Sequence, residues 1–359
     1  MDLILETPGT RVGKRKDLIK ISSPERDQVE IPLREIESII VGNGVQITSQ
    51  ALKELSSYAV NIVYTSLGTP YGIFTPFANA GTVFTRRQQI LAYEDHRGLH
   101  IATQIAYATI ENKRRLLKYF AKNRKKSSPK KARFLEMAAK NIKKMSEVLS
   151  QFKKQISKGD TINKRRRELM GIEGKSAAIY FQAYGNSFPN KFKTFQRTRR
   201  PPKDPVNSLL SLGYTILQGH ITTAVASAGL ELYGGFLHSD RSGKPSLALD
   251  LLEEFRQPII DRLIARIFHQ GQLMEDDFNN TLHGYRLTKE KKSFFYEELK
   301  KEIQGGDRSE ELFTESDYNK NVNKTMKKNY KKEMVRQARK LTNYLIGSSS
   351  SYEPYIMDW

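Results

Sequence analysis

Carboxylates gather in one short stretch of the chain. In residues 245–261 (PSLALDLLEEFRQPIID), Asp250, Glu253, Glu254, Gln257 and Asp261 share an arc of about 100°, if the stretch is one helix turning about 100° per residue. Leu251, Leu252, Phe255 and Ile259 take the opposite side, so one face is buried and the other collects acids. Such a face is either plainly solvated or holds a cation. Just upstream, residues 234–238 (GGFLH) set His238 on a glycine-bearing loop that turns through Gly243 and Pro245 into the helix. A loop imidazole beside a first-turn carboxylate could supply one nitrogen and one oxygen to a metal. A third element, residues 169–184 (LMGIEGKSAAIYFQAY), places Glu173 between Gly171 and Gly174 in an otherwise apolar helix. Small residues there, with Ser176, Ala177 and Ala178 following, would admit a neighbouring helix and half-bury the carboxylate. A buried charge without a partner is costly, so Glu173 needs a cation or a donor. A salt bridge to Lys175 or Arg167 would serve, and so would a metal.

Two carboxylates and an imidazole suit Mg²⁺ or Mn²⁺ rather than zinc or copper. In phosphodiester chemistry such an ion positions the nucleophile and neutralises charge building on the phosphoryl oxygens. Two basic clusters fit that use as phosphate clamps: Arg165, Arg166 and Arg167, and then Lys193, Arg197, Arg199 and Arg200. Over the whole chain of 359 residues, 60 basic and 39 acidic side chains give a net charge of +21. A field of that sign attracts polyanions, and nucleic acid is the commonest. The sequence has no cysteine, which excludes disulfides, zinc-thiolate clusters and thiol nucleophiles, and suits a reducing compartment. With no apolar leader behind a basic start and no apolar run of about 18 residues, the expectation is a soluble, cytoplasmic protein with no membrane partner.

These residues need a scaffold. Residues 1–80 read as a small β-sandwich domain. Strands are expected at 3–6, 18–21, 28–32, 38–41 and 61–65, and one helix at 49–58. Residues 81–89 read as a linker. From Arg86 the apolar period becomes helical, so residues 90–346 read as an all-helical catalytic domain. Helices are expected at 86–122, 132–157, 161–184, 205–227, 245–269, 286–303 and 315–346. The helix from Pro205 has the clearest signals: Asp204 as N-cap, Pro205 at the first position and Gly229 just past the end. Residues 122–133 (KNRKKSSPKKAR) and 347–359 read as mobile, the second as a flexible C-terminal tail whose aromatics either dock on a partner or fold back. The fold class is therefore α+β, a β-sandwich followed by a larger helical domain.

Three segments resemble the CRISPR-associated spacer-acquisition integrases, first described as metal-dependent DNA nucleases. They are the helix GIEGKSAAIYFQAY around Glu173, residues 197–217 (RTRRPPKDPVNSLLSLGYTIL) and residues 234–263 (GGFLHSDRSGKPSLALDLLEEFRQPIIDRL). The resemblance spans nearly the whole chain. It implies a metal held by Glu173, His238 and Glu253, the last being an acid that is Asp or Glu in the family. Asp250 and Glu254 stand close enough to compete or to support. The resemblance sets Asn207 and Tyr214 as supporting residues and gives His220 no ligand role. It further implies strand transfer by transesterification, in which a 3′-hydroxyl of captured DNA attacks a phosphodiester at the edge of a CRISPR repeat. Hydrolysis by water would use the same site. Implied partners are DNA, a second copy of the chain joined through the β domain, and a small ferredoxin-like companion protein. The alternative is a non-catalytic basic DNA-binding or bridging module.

Overall fold

The computed structural model describes residues 2–24, 26–36, 38–66, 69–77, 83–157, 159–192, 196–282, 284–305 and 329–358. The N-terminal part holds strands β1 (Asp2–Leu5), β2 (Arg11–Arg15), β3 (Leu18–Ser23), β4 (Arg26–Pro32), β5 (Ser38–Val41) and β6 (Gln46–Ile47). Helix α1 (Ser49–Ser57) follows, then β7 (Asn61–Ser66) and β8 (Thr69–Phe74). They form two four-stranded sheets, one ordered β1-β5-β7-β8 and the other β4-β3-β2-β6. Period-two alternation turns Leu3, Ile39, Val41 and Ile62 of one sheet and Val12, Ile19 and Ile31 of the other into a single core, closed by Ala51 and Leu55 of α1. Thr48 caps α1 by accepting the Ala51 N–H at 3.2 Å. The expected sandwich with one inserted helix is present. β2, β6 and β8 were not expected, because RVGKR, QI and TPYGIF carry little β-branched alternation.

The second part holds α2 (Val83–Ala92), α3 (His96–Arg124), α4 (Pro129–Lys154), α5 (Ile162–Ser187), α6 (Pro205–Ser227), α7 (Ser246–Leu252) and α8 (Arg262–His269). A hairpin, β9 (Phe278–Thr281) and β10 (Gly284–Leu287), precedes α9 (Lys289–Gln304) and α10 (Tyr330–Leu345). One apolar core runs through all these helices. α6 lies at its centre, its signals read correctly: Asp204 accepts the Asn207 N–H at 2.8 Å, and Gly229 follows at φ +72. α6 also packs on β7 and β8, so the two parts share a contact through it.

Several expectations need correction. The second part is not all-helical, because the β9–β10 pair takes residues placed in a helix at 286. The proposed linker 81–89 is already helix α2 from Val83. The helix expected at 86–122 breaks at Asp95, which caps α3 by accepting the Arg97 N–H at 2.8 Å. The basic stretch 122–133 is mostly the end of α3 and the start of α4, with Pro129 in the first turn, where its missing N–H costs nothing. Residues 306–328, part of the helix expected at 315–346, lie outside the described residues. No described helix is long and apolar enough to cross a membrane.

The C-terminal tail is the largest departure. Tyr352, Tyr355 and Met357 are buried within the main core, so residues 351–358 are part of the fold rather than a flexible appendage. Ser348 and Ser349 both donate backbone N–H bonds to the Asn343 carbonyl, so even the serine run is tied to the end of α10.

Candidate active site

The stretch expected to form one helix with an acidic face is broken in two. α7 ends at Leu252, turns carry 253–255, and Arg256–Asp261 winds as a π-helical turn before α8. Pro258 is the cause. It has no N–H to give the Glu254 carbonyl four residues earlier, so the α-ladder cannot continue. That carbonyl instead accepts the Asn112 side-chain amide of α3 at 2.9 Å. The acids therefore diverge, and none is solvated: Asp250, Glu254 and Asp261 are 0% exposed and Glu253 is 7% exposed.

Asp250 faces the loop before α7. It accepts the backbone N–H groups of Phe236 (2.6 Å), Leu237 (2.9 Å) and His238 (2.8 Å), and it bonds the His238 ring at Nδ1 (2.8 Å). A carboxylate with four donors is fully compensated for burial, and it fixes the orientation of the ring. Burial by itself would lower the His238 pKa, but the bond and charge of Asp250, with Glu253 behind it, raise it above the ordinary value. Nδ1 is taken, so Nε2 is the nitrogen left for an external ligand. The loop can lie this close to α7 only because residue 235 is glycine: a Cβ there would meet Ser246 Cβ at 2.6 Å.

Glu173 pairs with Lys113 of α3, whose Nζ stands 2.5 Å from Glu173 Oε1 with only 3% of the lysine side chain exposed. Burial would raise the Glu173 carboxyl, but Lys113, then Arg256 and His238, hold it below the usual glutamate value. Neither sequence neighbour, Lys175 nor Arg167, supplies the partner. The glycines on either side do not admit a helix either, since a Cβ at Gly171 or Gly174 would meet nothing within 4 Å. They leave the approach to Glu173 open. Glu253 takes Arg256 at 2.5 Å, and Arg256 lies over the Tyr214 ring at 4.8 Å. Glu173, His238 and Glu253 thus share one charged neighbourhood, with Lys113 and Arg256 interleaved. Among the described residues no three His, Asp or Glu side chains are gathered closely enough to hold a metal ion. The donor chemistry suits a hard divalent ion, two carboxylates and a free imidazole Nε2, but in this arrangement the two cations balance the carboxylates.

Residues 3–301 match the family model described as CRISPR associated protein Cas1. The chain belongs to the Cas1 family. A relative named CRISPR-associated endonuclease Cas1 1, from Archaeoglobus fulgidus, is 32% identical over 292 residues, covering 77% of this chain and 81% of the relative. A second, CRISPR-associated protein Cas1 3 from Methanobrevibacter ruminantium, is 28% identical over 289 residues, covering 80% and 84%. In fold, the chain is similar to a CAS1 protein from Thermotoga maritima (TM-score 0.71, 22% identity, 100% of both chains). It is also similar to a casposase bound to integration product (TM-score 0.76, 20% identity, 100% of this chain and 95% of that one).

Within this Cas1 fold the other candidate residues separate by where they point. Glu254 turns away from the site. Its oxygens accept from Tyr352 Oη (2.5 Å), the Tyr355 N–H (2.7 Å) and Gln337 Nε2 (3.0 Å), so it anchors the tail rather than competing for a metal. Burial pushes its carboxyl up to about 7 against those three bonds. Asn207 is a brace: it donates to the Gln196 carbonyl (3.0 Å) and Asp204 (2.6 Å) and accepts from Arg197 (2.9 Å) and the Thr198 N–H (3.1 Å). Tyr214 donates to Asp261 Oδ1 at 2.5 Å, and Tyr180 donates to Oδ2 at 2.6 Å. His220 lies at the N-terminal sheet's contact with α6, lining a small crevice with Ile4 and Tyr296.

The basic candidates divide as well. Arg167, Arg199 and Arg200 are exposed. Arg165 pairs with Asp160 and Glu168 and stacks on Phe152, while Arg166 bonds Tyr93 and the Phe236 carbonyl, fixing the His238 loop. Arg197 points inward to Asn207 and Ser211. Arg165, Arg166 and Arg197 are therefore structural in this arrangement, and Lys193 lies outside the described residues. Lys113, Arg256 and Asn112 were missed. All three sit in helical runs whose period marks them only as polar positions, and no local motif singles them out.

Proposed function

We propose that the chain is a divalent-metal-dependent DNA endonuclease and integrase that inserts captured DNA into a CRISPR array. The observation that carries this reading is His238, locked by Asp250 at Nδ1 so that Nε2 is free, in a Cas1-family chain whose Glu173 and Glu253 are each paired with a cation, Lys113 and Arg256. Glu173, His238 Nε2 and Glu253 would hold Mg²⁺ or Mn²⁺. A divalent ion bound there supplies charge neutralisation on the phosphoryl oxygens and a fixed position for the attacking oxygen. To bind it, Glu173 and Glu253 exchange their ion pairs with Lys113 and Arg256. The released cations stay beside the reacting phosphate, and the buried Arg256 Nε, which has no hydrogen-bond partner, is a donor that a phosphate oxygen would satisfy. Gly171 and Gly174 leave the surface beside Glu173 uncovered at their own positions.

In strand transfer the 3′-hydroxyl oxygen of captured DNA forms a bond to phosphorus as the bond to the target strand's 3′-oxygen breaks. The attacking hydroxyl loses its proton to solvent and the leaving oxygen takes one up, so the number of phosphodiesters is unchanged and no energy source is consumed. Hydrolysis replaces the 3′-hydroxyl with water. Arg167, Arg199 and Arg200 are exposed and would contact the phosphate backbone. The same reading makes a second copy of the chain, met through the β domain, and a small ferredoxin-like companion its partners.

The test is a set of three single variants. Glu173→Ala, His238→Ala and Glu253→Ala are each expected to reduce Mn²⁺-dependent nicking and strand transfer to background. DNA affinity should remain within a few-fold, because Lys and Arg contacts to phosphate supply most of it. A variant that keeps the wild-type rate removes that residue from the ligand set. If wild-type protein shows DNA binding and no metal-dependent turnover, the chain is a bridging module instead.

A further inference from the structure

The C-terminal residues follow a path that has no obvious purpose in a tail. Starting at His100, whose ring meets Ser351 Oγ at 3.2 Å, the segment runs along α3 to Arg115, which donates to the Met357 carbonyl. An extended segment covers about 3.3 Å per residue and a helix rises about 1.5 Å per residue. Six residue steps of an extended tail and fifteen of α3 both come to roughly 20 Å, so the segment is long enough to run alongside the helix between these two contacts.

Along that path it grips two points, and each is one residue from the site. Asn112 is the first: its amide donates to the Tyr355 carbonyl (3.1 Å) and its oxygen accepts the Met357 N–H (2.9 Å). The next residue, Lys113, holds Glu173. Glu254 is the second, bonded by Tyr352 Oη and the Tyr355 N–H, and the residue before it is Glu253. The Tyr355 ring stacks on Phe255, with centroids 5.0 Å apart at 8°. Asn112 also donates to the Glu254 carbonyl that Pro258 leaves open, so the two grips are joined to each other. The turn 253–255 hangs from α7 by three tight turn bonds, from the Glu253, Glu254 and Phe255 N–H groups to the Asp250, Leu251 and Leu252 carbonyls. On its other side it is held by Asn112 of α3 and by the tail.

We infer that residues 351–358 form a positioning strap that sets the distance between the Glu173 and Glu253 sides of the site. This rests on the reading of Glu173, His238 and Glu253 as the reacting centre. The strap residues are positioning residues. They act through Asn112 and Glu254, and their contribution is to hold two carboxylates, carried on separate elements, at one spacing. Small misplacements at a reacting centre are costly in rate, on the order of 100-fold for about 1 Å.

Single-turnover nicking and strand transfer in Mn²⁺, at saturating protein and well below the melting temperature, test the strap. Tyr352→Phe keeps the ring and its packing and deletes only the hydroxyl that donates to Glu254. The expected result is a rate about tenfold lower with an unchanged DNA dissociation constant, and faster hydrogen exchange at residues 253–256. Arg115→Met loosens the other end of the strap without opening the core and should lower the rate about threefold; it decides the matter if Tyr352→Phe does not accumulate as folded protein. A purely stabilising tail would lower the melting temperature and leave the rate per folded molecule unchanged. Either variant, folded and reacting at the wild-type rate, overturns the strap. A wild-type protein with no metal-dependent turnover overturns the catalytic reading instead, so the two failures are told apart.

Discussion

Two helical segments of this chain each carry a proline, and they behave in opposite ways. In α6, Pro205 sits at the first position, where the N–H would have no partner, and the helix runs unbroken to Ser227. In the segment 246–269, Pro258 sits inside, and the chain winds from α7 through turns and a π-helical turn into α8. α6 is held by its own ladder and by apolar packing on all sides. The other segment borrows what it lacks: Asn112 supplies the hydrogen bond that Pro258 cannot. A self-sufficient helix positions neighbours, whereas a segment completed by other elements can be set by them. The site carboxylates Glu253 and Asp250 lie on the second kind.

Removing the borrowed bond should therefore cost far more than removing a local one. Asn112→Leu strips partners from the Glu254 carbonyl, the Tyr355 carbonyl and the Met357 N–H, all buried. At about 1 kcal/mol or more for each unpaired group, the expected loss is about 3–4 kcal/mol by urea unfolding. A loss under about 1 kcal/mol would mean that the turn holds itself and the contrast is false.

Asp261, at the far end of the π-turn, sharpens the comparison through pH. Burial lifts its carboxyl from 3.8 to about 6, against the Tyr180 and Tyr214 hydroxyls and the charges of Arg256 and Arg197. Because the folded value is the higher one, the protonated form favours folding. This group's contribution is greatest below the unfolded value and is lost as pH rises through about 6. A shift of roughly two units corresponds to about 3 kcal/mol at most. The urea midpoint of Asp261→Asn is expected to change less between pH 4 and 7 than that of the wild type. Parallel pH profiles would show that Asp261 is already ionised throughout.

The smallest effect belongs to α6. Asp204→Ala removes the N-cap bond from the Asn207 N–H and the bond from the buried Asn207 side-chain amide, and the expected loss is about 1–2 kcal/mol. The helix should keep its bounds, since its apolar packing remains. Fraying of residues 205–208 in hydrogen exchange, with a loss above about 3 kcal/mol, would make α6 as dependent as the acidic segment.

What the sequence determined by itself was whatever short-range chemistry decides. Asp204, Pro205 and Gly229 mark both ends of α6, period-two runs mark most of the sandwich, and the glycine loop before α7 brings His238 within reach of Asp250, twelve residues on. Periodicity also grouped Asp250, Glu253, Glu254 and Asp261 as one face, and there local reasoning reached its limit. Four acids on one expected face have four separate partners: the His238 loop, Arg256, the C-terminal tail and a tyrosine pair. Arg256 and the His238 loop are near in sequence, but the tail and the tyrosine pair come from elsewhere along the chain, and only packing brings them near. The tail shows the same division. Its serines and aromatics suit a free appendage in composition, but burial of Tyr352, Tyr355 and Met357 against α3 decides otherwise. Lys113 is an ordinary helical lysine in sequence. It becomes the partner of Glu173, sixty residues away, only because α3 and α5 pack side by side in the tertiary structure.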